Sequence, residues 1–195
     1  MTDRGETHGV VVVISGPSGS GKTTLVGRIL KQDPELAWSV SATTRAPRAG
    51  EVDGRDYYFL TRDAFEKGIA EGTFAEWAES YGHLYGTPAA ALEEALSAGR
   101  VIVLDIDVQG ARQVRERFSD AVLIFIRPPD MTTLTDRLRR RRTESEEQFR
   151  VRLERARAEL ASASMYHHVI VNDDLERAVC ELRDLIRKIK ETRRG

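Results

Sequence analysis

Gly16-Pro17-Ser18-Gly19-Ser20-Gly21-Lys22-Thr23 decides the reading of this chain. The stretch fits G-x-x-x-x-G-K-[ST], the P-loop pattern. Val10-Val11-Val12-Val13-Ile14 before it reads as a buried parallel strand, and Thr24-Leu25-Val26-Gly27-Arg28-Ile29-Leu30 after it reads as a helix. Strand, loop and helix in that order are the context in which the pattern holds a nucleoside triphosphate by its phosphates. Gly16, Gly19 and Gly21 permit tight turns and leave no side chain between backbone and phosphate. Successive N–H groups then point inward as an anion nest, and the helix starting near Lys22 adds the positive end of its dipole. Lys22 would reach the β- and γ-phosphates, and the Thr23 hydroxyl would ligate Mg²⁺.

A chain of 195 residues is long enough for one well-packed core with small appended subdomains. Lys and Arg number 30 against 31 Asp and Glu, and this near-neutrality argues against a general nucleic-acid binder. The longest apolar run, Val10 to Ile14, falls far short of the ~20 residues of a membrane-spanning helix. Residues 1–8 are polar, lack the apolar region of a signal peptide and are expected to be a flexible tail; the basic end, 188–195, is expected to fray. Cys180 is the single cysteine, so no internal disulfide can form, and a reducing, cytoplasmic compartment fits. With Val179 and Leu182 nearby, Cys180 is expected in the core. His8, His83, His167 and His168 show no metal-ligand pattern. Monomer and homo-oligomer stay equally open.

Three more apolar runs read as buried strands: Val101 to Ile106, Val122 to Ile126 and Val169 to Val171. Helices are predicted over Gln109–Phe118 and Met131–Arg142, the latter after Pro128-Pro129-Asp130. Thr143-Glu144-Ser145-Glu146 offers a capping box for a helix to about Ser164. Asp173 and Glu176 offer another for a helix to Lys190. Strands alternating with helices predict an α/β fold with a largely parallel sheet covered on both faces. The segment from Ser39 to Pro88 breaks that rhythm. Its apolar runs are short and alternating, as in antiparallel strands with one wet face, so it reads as an inserted subdomain able to carry a second substrate.

Several blocks together resemble guanylate kinases, over about Val10 to Lys190. They are Ile14 through Gly19, Ser41 through Gly54, Glu76-Trp77-Ala78, Tyr85-Gly86-Thr87, Leu104 through Gly110, and Val169 through Asp173. The block Thr43-Thr44-Arg45-Ala46-Pro47-Arg48-Ala49-Gly50-Glu51 and the block Asp105-Ile106-Asp107-Val108-Gln109-Gly110 are the most specific. The resemblance implies a P-loop NTPase three-layer core with an inserted GMP-binding subdomain and a helical lid. It divides the chain into a core at 9–38, 98–130 and 154–192, a GMP-binding subdomain at 39–97 and a lid at 131–153. It implies transfer of the γ-phosphoryl of ATP to GMP, and to dGMP, giving ADP and GDP for purine nucleotide supply, with Mg²⁺ accompanying ATP.

In the resemblance, Arg45, Arg48, Tyr57 and Tyr85 hold the GMP phosphate, and Glu51 belongs to the same site. Guanidinium groups suit bidentate phosphate recognition, and a phenol donates without adding charge. Glu76 matches the position that reads guanine, with Ser41 and Thr87 as hydroxyl partners. One carboxylate can accept from both N1–H and the 2-amino group. Adenine lacks both, and a site left unpaired discriminates by on the order of 10⁴-fold. Asp105 and Asp107 end a strand at the ligand edge. The resemblance sets both in the GMP site and near metal-bound water, one to orient that water and the other to engage the nucleotide or an arginine, with the two roles undivided and Asp105 also a candidate toward Mg²⁺ through water beside Thr23.

The run Arg137-Leu138-Arg139-Arg140-Arg141-Arg142 reads either as a nucleic-acid patch or as a lid over the ATP phosphates. Near-neutral charge and helix context favour the lid. The resemblance places phosphate-contacting arginines at Arg137 and Arg152, adds Arg141, and puts Asn172 near the adenine ring. Pro17, Ser18, Ser20 and Thr24 complete the ATP loop. Arg142 stands where the family usually has glycine. Lys22, Arg45, Arg137 and Arg152 are the expected catalytic groups, and subdomain and lid are expected to close over both substrates and exclude water. Two other readings stand beside this one: a P-loop kinase for a different acceptor, against which Glu76, Ser41 and Thr87 argue, and a non-catalytic interaction module, against which the intact Gly21-Lys22-Thr23 argues.

Overall fold

Four valines and an isoleucine in succession are stiff at χ1 and suit a pleated strand, and β1 spans Val10–Ser15. All six residues are buried. Successive strand side chains point to opposite faces, so complete burial means that this strand is covered on both. The computed structural model describes residues 9–139 and 145–194. Helix α1 (Lys22–Gln32) follows the loop, then β2 (Ala37–Trp38), β3 (Ala42–Thr43), β4 (Tyr58–Phe59) and α2 (Arg62–Ala70). The hairpin β5 (Phe74–Ser80) and β6 (His83–Pro88) leads to α3 (Ala89–Ser97), β7 (Val101–Asp105) and α4 (Val108–Arg117). The chain continues through β8 (Val122–Arg127), α5 (Met131–Arg139), α6 (Glu146–Ala161), a 3-10 turn, β9 (His168–Val171) and α7 (Leu175–Arg194).

Five strands form a mostly parallel sheet in the order β2-β7-β1-β8-β9; β2 pairs parallel with β7, and β8 with β9. The remaining four form a second sheet, β4-β3-β6-β5. Described residues 9–12, 35–104 and 109–121 make one compact unit, and 13–34, 105–108, 122–139 and 145–194 another. The first unit has a small core of Ala42, Phe65 and Leu84, with Phe65 stacked on Phe74 at 4.3 Å. In the second unit α5 and α6 share Leu134, Leu138, Phe149 and Ala156.

The structure corrects several expectations. Residues 39–88 are not wholly antiparallel: β3 and β4 run parallel, because the long connection 44–57 carries the chain back to the same end. That stretch also holds α2, capped by Thr61, which accepts from Ala64 N–H. The predicted boxes are displaced. Ser145 with Gln148 caps α6, whereas Thr143 lies outside the described residues. Asp174, not Asp173, accepts from Arg177 N–H at the start of α7. That helix runs on to Arg194, and Lys190 pairs with Asp33 at 2.6 Å, so the chain is held through residue 190. Cys180 is exposed. α7 buries Ala178, Val179, Leu182 and Ile186, and at 100° per residue Cys180 falls on the far side of that stripe. Among the described residues no helix is long and apolar enough to cross a membrane.

Candidate active site

The loop after β1 turns at Gly19 and Gly21, each at φ +86°, the left-handed region that glycine enters without penalty. Gly21 has a second constraint. A Cβ there would overlap Nδ2 of Asn172, which instead donates to the Ser20 carbonyl at 2.7 Å. Asn172 follows β9, 152 residues along the chain, and thereby braces the phosphate loop. Ser20 N–H donates to the Pro17 carbonyl at 3.0 Å, closing the turn. Thr23 and Thr24 are exposed at the mouth of α1, where the Thr24 and Leu25 N–H groups both donate to the Gly21 carbonyl at 3.1 Å.

Cations surround this loop within the same unit. Lys22 forms an ion pair with Asp105 and donates to the Ile106 carbonyl at 3.1 Å. Arg152, on α6 and only 9% exposed, donates to the Ser18 hydroxyl at 2.6 Å. Arg137, on α5, donates from Nη2 to the Asn172 carbonyl at 3.0 Å. Its Nη1 is buried with no hydrogen-bond partner. Such a donor carries a desolvation cost of about 1–3 kcal/mol that an arriving anion would relieve. Arg141 lies outside the described residues.

The two acids at the end of β7 have different neighbours. Asp105 takes Lys22, and Asp107 takes Arg155 at 3.0 Å. Arg155 also holds Glu159 at 3.1 Å, one helical turn further along α6. Burial pushes the Glu159 carboxyl above the ordinary range, partly opposed by Arg155 and Lys22. Sequence reasoning missed Arg155 and Glu159. Their i,i+4 spacing was a visible signal for the pair, but nothing local tied it to Asp107.

The second unit of function lies on the four-stranded sheet. Arg45 donates from Nη2 to Glu51 at 2.9 Å and from Nη1 to the Ala46 carbonyl at 2.7 Å. Glu51 also accepts from Arg48 N–H at 2.7 Å. The hydrogen bond to Glu51 raises the Arg45 pKa, and the same bond holds the Glu51 carboxyl below its usual range. Arg48 extends an exposed side chain. The Arg45 guanidinium lies over Tyr57, 5.4 Å from the ring centroid, and Tyr57 meets Tyr85 edge-on at 6.2 Å. Glu76 and Thr87 face each other across β5 and β6, and the Thr87 hydroxyl donates to Glu76 at 2.6 Å. Glu76 is 4% exposed and Thr87 fully buried. Ser41, just before β3, accepts through its carbonyl from Tyr58 N–H at 2.9 Å.

A phosphate-nest loop between a buried strand and a helix, on a mostly parallel sheet and with cationic groups around it, defines the P-loop nucleotide kinases. Residues 8–189 match the family described as Guanylate kinase. The chain belongs to the guanylate kinase family. It is 51% identical to the guanylate kinase of Rubrobacter xylanophilus, over 93% of this chain and 95% of that one. It is 47% identical to that of Desulfitobacterium hafniense, over 93% and 90%. The crystal structure of guanylate kinase from Anaplasma phagocytophilum superposes with a TM-score of 0.78 at 35% identity, covering 94% of this chain and 87% of that one.

Proposed function

We propose that this chain transfers the γ-phosphoryl group of ATP to GMP, releasing ADP and GDP. The reading is carried by the buried Glu76–Thr87 pair, set in a chain whose family membership supplies the phosphotransfer chemistry. A carboxylate 4% exposed offers several acceptor sites in a dry setting, and Thr87 takes one of them. Two parallel N–H donors on one edge of guanine answer it, with Ser41 and Thr87 adding hydroxyls. Arg45, Arg48, Tyr57 and Tyr85 hold the GMP phosphate, and Glu51 sets the Arg45 fork.

On the donor side, residues 16–24 cradle the ATP phosphates, Asn172, which braces that loop, is assigned to the region near the adenine ring, and Lys22, Arg137 and Arg152 spread over the transferred group. Thr23 and Asp105 offer hard oxygen donors of the kind Mg²⁺ accepts when phosphates and waters complete its shell. Bound there, the ion would offset charge on the β- and γ-phosphates. The attacking GMP phosphate is anionic near neutral pH, so no base is needed. Its oxygen bonds to the γ-phosphorus as the bond to the β,γ-bridging oxygen breaks, and ADP leaves with that electron pair. The work of the protein is alignment and charge stabilisation. We assign residues 39–97 to the acceptor, 131–153 to the lid and the rest of 9–192 to the core. A reducing cytoplasm suits a chain whose one thiol is exposed.

The test is ADP release from ATP and Mg²⁺ with GMP, AMP, UMP or CMP, beside a control without acceptor. Release with GMP alone is expected. Release with another nucleotide overturns the role of Glu76, and none above control with ATP bound overturns catalysis.

A further inference from the structure

β5 is an edge strand, and three of its main-chain groups are taken up by side chains of α4. Gln113 accepts from Trp77 N–H at 3.1 Å and donates to the Trp77 carbonyl at 2.6 Å. Arg117, one turn on, donates to the Phe74 carbonyl at 3.1 Å. These three bonds bracket an irregularity. Phe74 opposes Pro88 and Glu76 opposes Thr87, so two steps on β5 match one on β6. The extra residue makes a bulge, and its effect is visible in burial. Ala75 and Glu76 are both buried in succession, whereas an unbroken pleat would send one of them outward.

We infer that Gln113 and Arg117 are positioning residues for base selection: they pin the bulged edge of β5 and so fix the direction of the Glu76 carboxylate. The inference rests on Glu76 reading guanine. A bulge is a soft point in a strand, and a free edge leaves it without support on one side. A two-point bond from Gln113 restores that support at the residue next to Glu76. Nothing in α4 needs to touch the nucleotide for this to affect selection. A tilt of the carboxylate weakens the paired acceptance of N1–H and the 2-amino group more than it weakens phosphate binding.

Steady-state kinetics with GMP and with IMP, which lacks the 2-amino donor, test it. Gln113→Ala is expected to raise KM for GMP about tenfold, the worth of two modest hydrogen bonds. It should narrow the GMP-over-IMP ratio in kcat/KM and leave KM for ATP unchanged. Arg117→Ala should move the same quantities less, and Glu116→Ala on the same helix should move none. A Gln113→Ala enzyme with an unchanged GMP-over-IMP ratio, or with equal losses for ATP and GMP, overturns the inference. Glu76→Gln separates the two levels. If it too leaves the ratio unchanged, the guanine-reading role fails; if it collapses the ratio while Gln113→Ala does not, only the positioning role fails. Should Gln113→Ala not fold, Gln113→Glu keeps the acceptor, loses the donor and carries the same comparison.

Discussion

The donor loop and the acceptor phosphate site hold their cations in opposite ways. Around the loop, partners lie far apart in sequence: Lys22 and Ile106 by 84 residues, Ser18 and Arg152 by 134, Ser20 and Asn172 by 152. Around the acceptor phosphate, Glu51 accepts from the Arg45 guanidinium and from the Arg48 backbone N–H, six and three residues away. The loop is therefore built by the fold, and its functional groups also close the tertiary structure. The acceptor turn sets Arg45 through Glu51, with the guanidinium also lying over the Tyr57 ring, and leaves the Arg48 side chain exposed. Substitutions should damage stability and function together on the first side, and function alone on the second.

The largest effect is expected from Lys22→Ala. Removing one preorganised cation from a developing charge should lower kcat by about 10²–10³-fold, measured by ADP release. It also leaves Asp105 without its Lys22 partner, so the melting temperature should fall as well. An unchanged melting temperature would blur the contrast. Gly21→Ala comes next. Strain at φ +86° and overlap with Asn172 should cost about 1–3 kcal/mol in denaturant unfolding and raise KM for ATP. Arg48→Ala is the counter-case. Its side chain is exposed, so stability should stay within about 0.5 kcal/mol, while KM for GMP rises about tenfold or more, as befits a charged hydrogen-bond donor. A large stability loss there would break the comparison.

The smallest effect is the pH dependence of Glu159→Gln. Burial raises the folded pKa of Glu159 above its unfolded value. Its stabilising contribution is thus full below the unfolded pKa and is lost as pH rises through the folded one. The Gln variant has no charge to bury. Its melting temperature relative to the parent should therefore climb as pH rises through and above the ordinary carboxylate range. A difference constant across that range would remove burial as the dominant cause.

The same contrast explains what could be read in advance. The strands β1, β7 and β8 are contiguous apolar runs, and the loop after β1 is a contiguous motif, so both were legible; β9 was legible as a strand but not as a buried one, since at the sheet edge Val169 and Val171 are exposed and only Ile170 is buried. The Arg45–Glu51 turn was legible as a block because its partners are neighbours. Two-residue β2 has no periodicity to detect. The exposure of Cys180 depends on which stripe of α7 packs inward, and two of its apolar neighbours pointed the wrong way. The caps moved by one or two residues because Asp173-Asp174 and Thr143-Glu144-Ser145 each offer more than one acceptor. Gln113, Arg117 and the bond from Arg155 to Asp107 act across long separations, and no spacing announces that.

The clamp on β5 has one more consequence, which concerns the behaviour of the protein among its own copies. A strand edge with free N–H and C=O groups is a template on which another chain can add a strand. β5 is seven residues long and carries the exposed aromatic Trp77. With the Trp77 amide and carbonyl and the Phe74 carbonyl already engaged, an incoming strand finds its ladder occupied at those places. The side chains of α4 thus occupy part of an edge on which another strand could otherwise add.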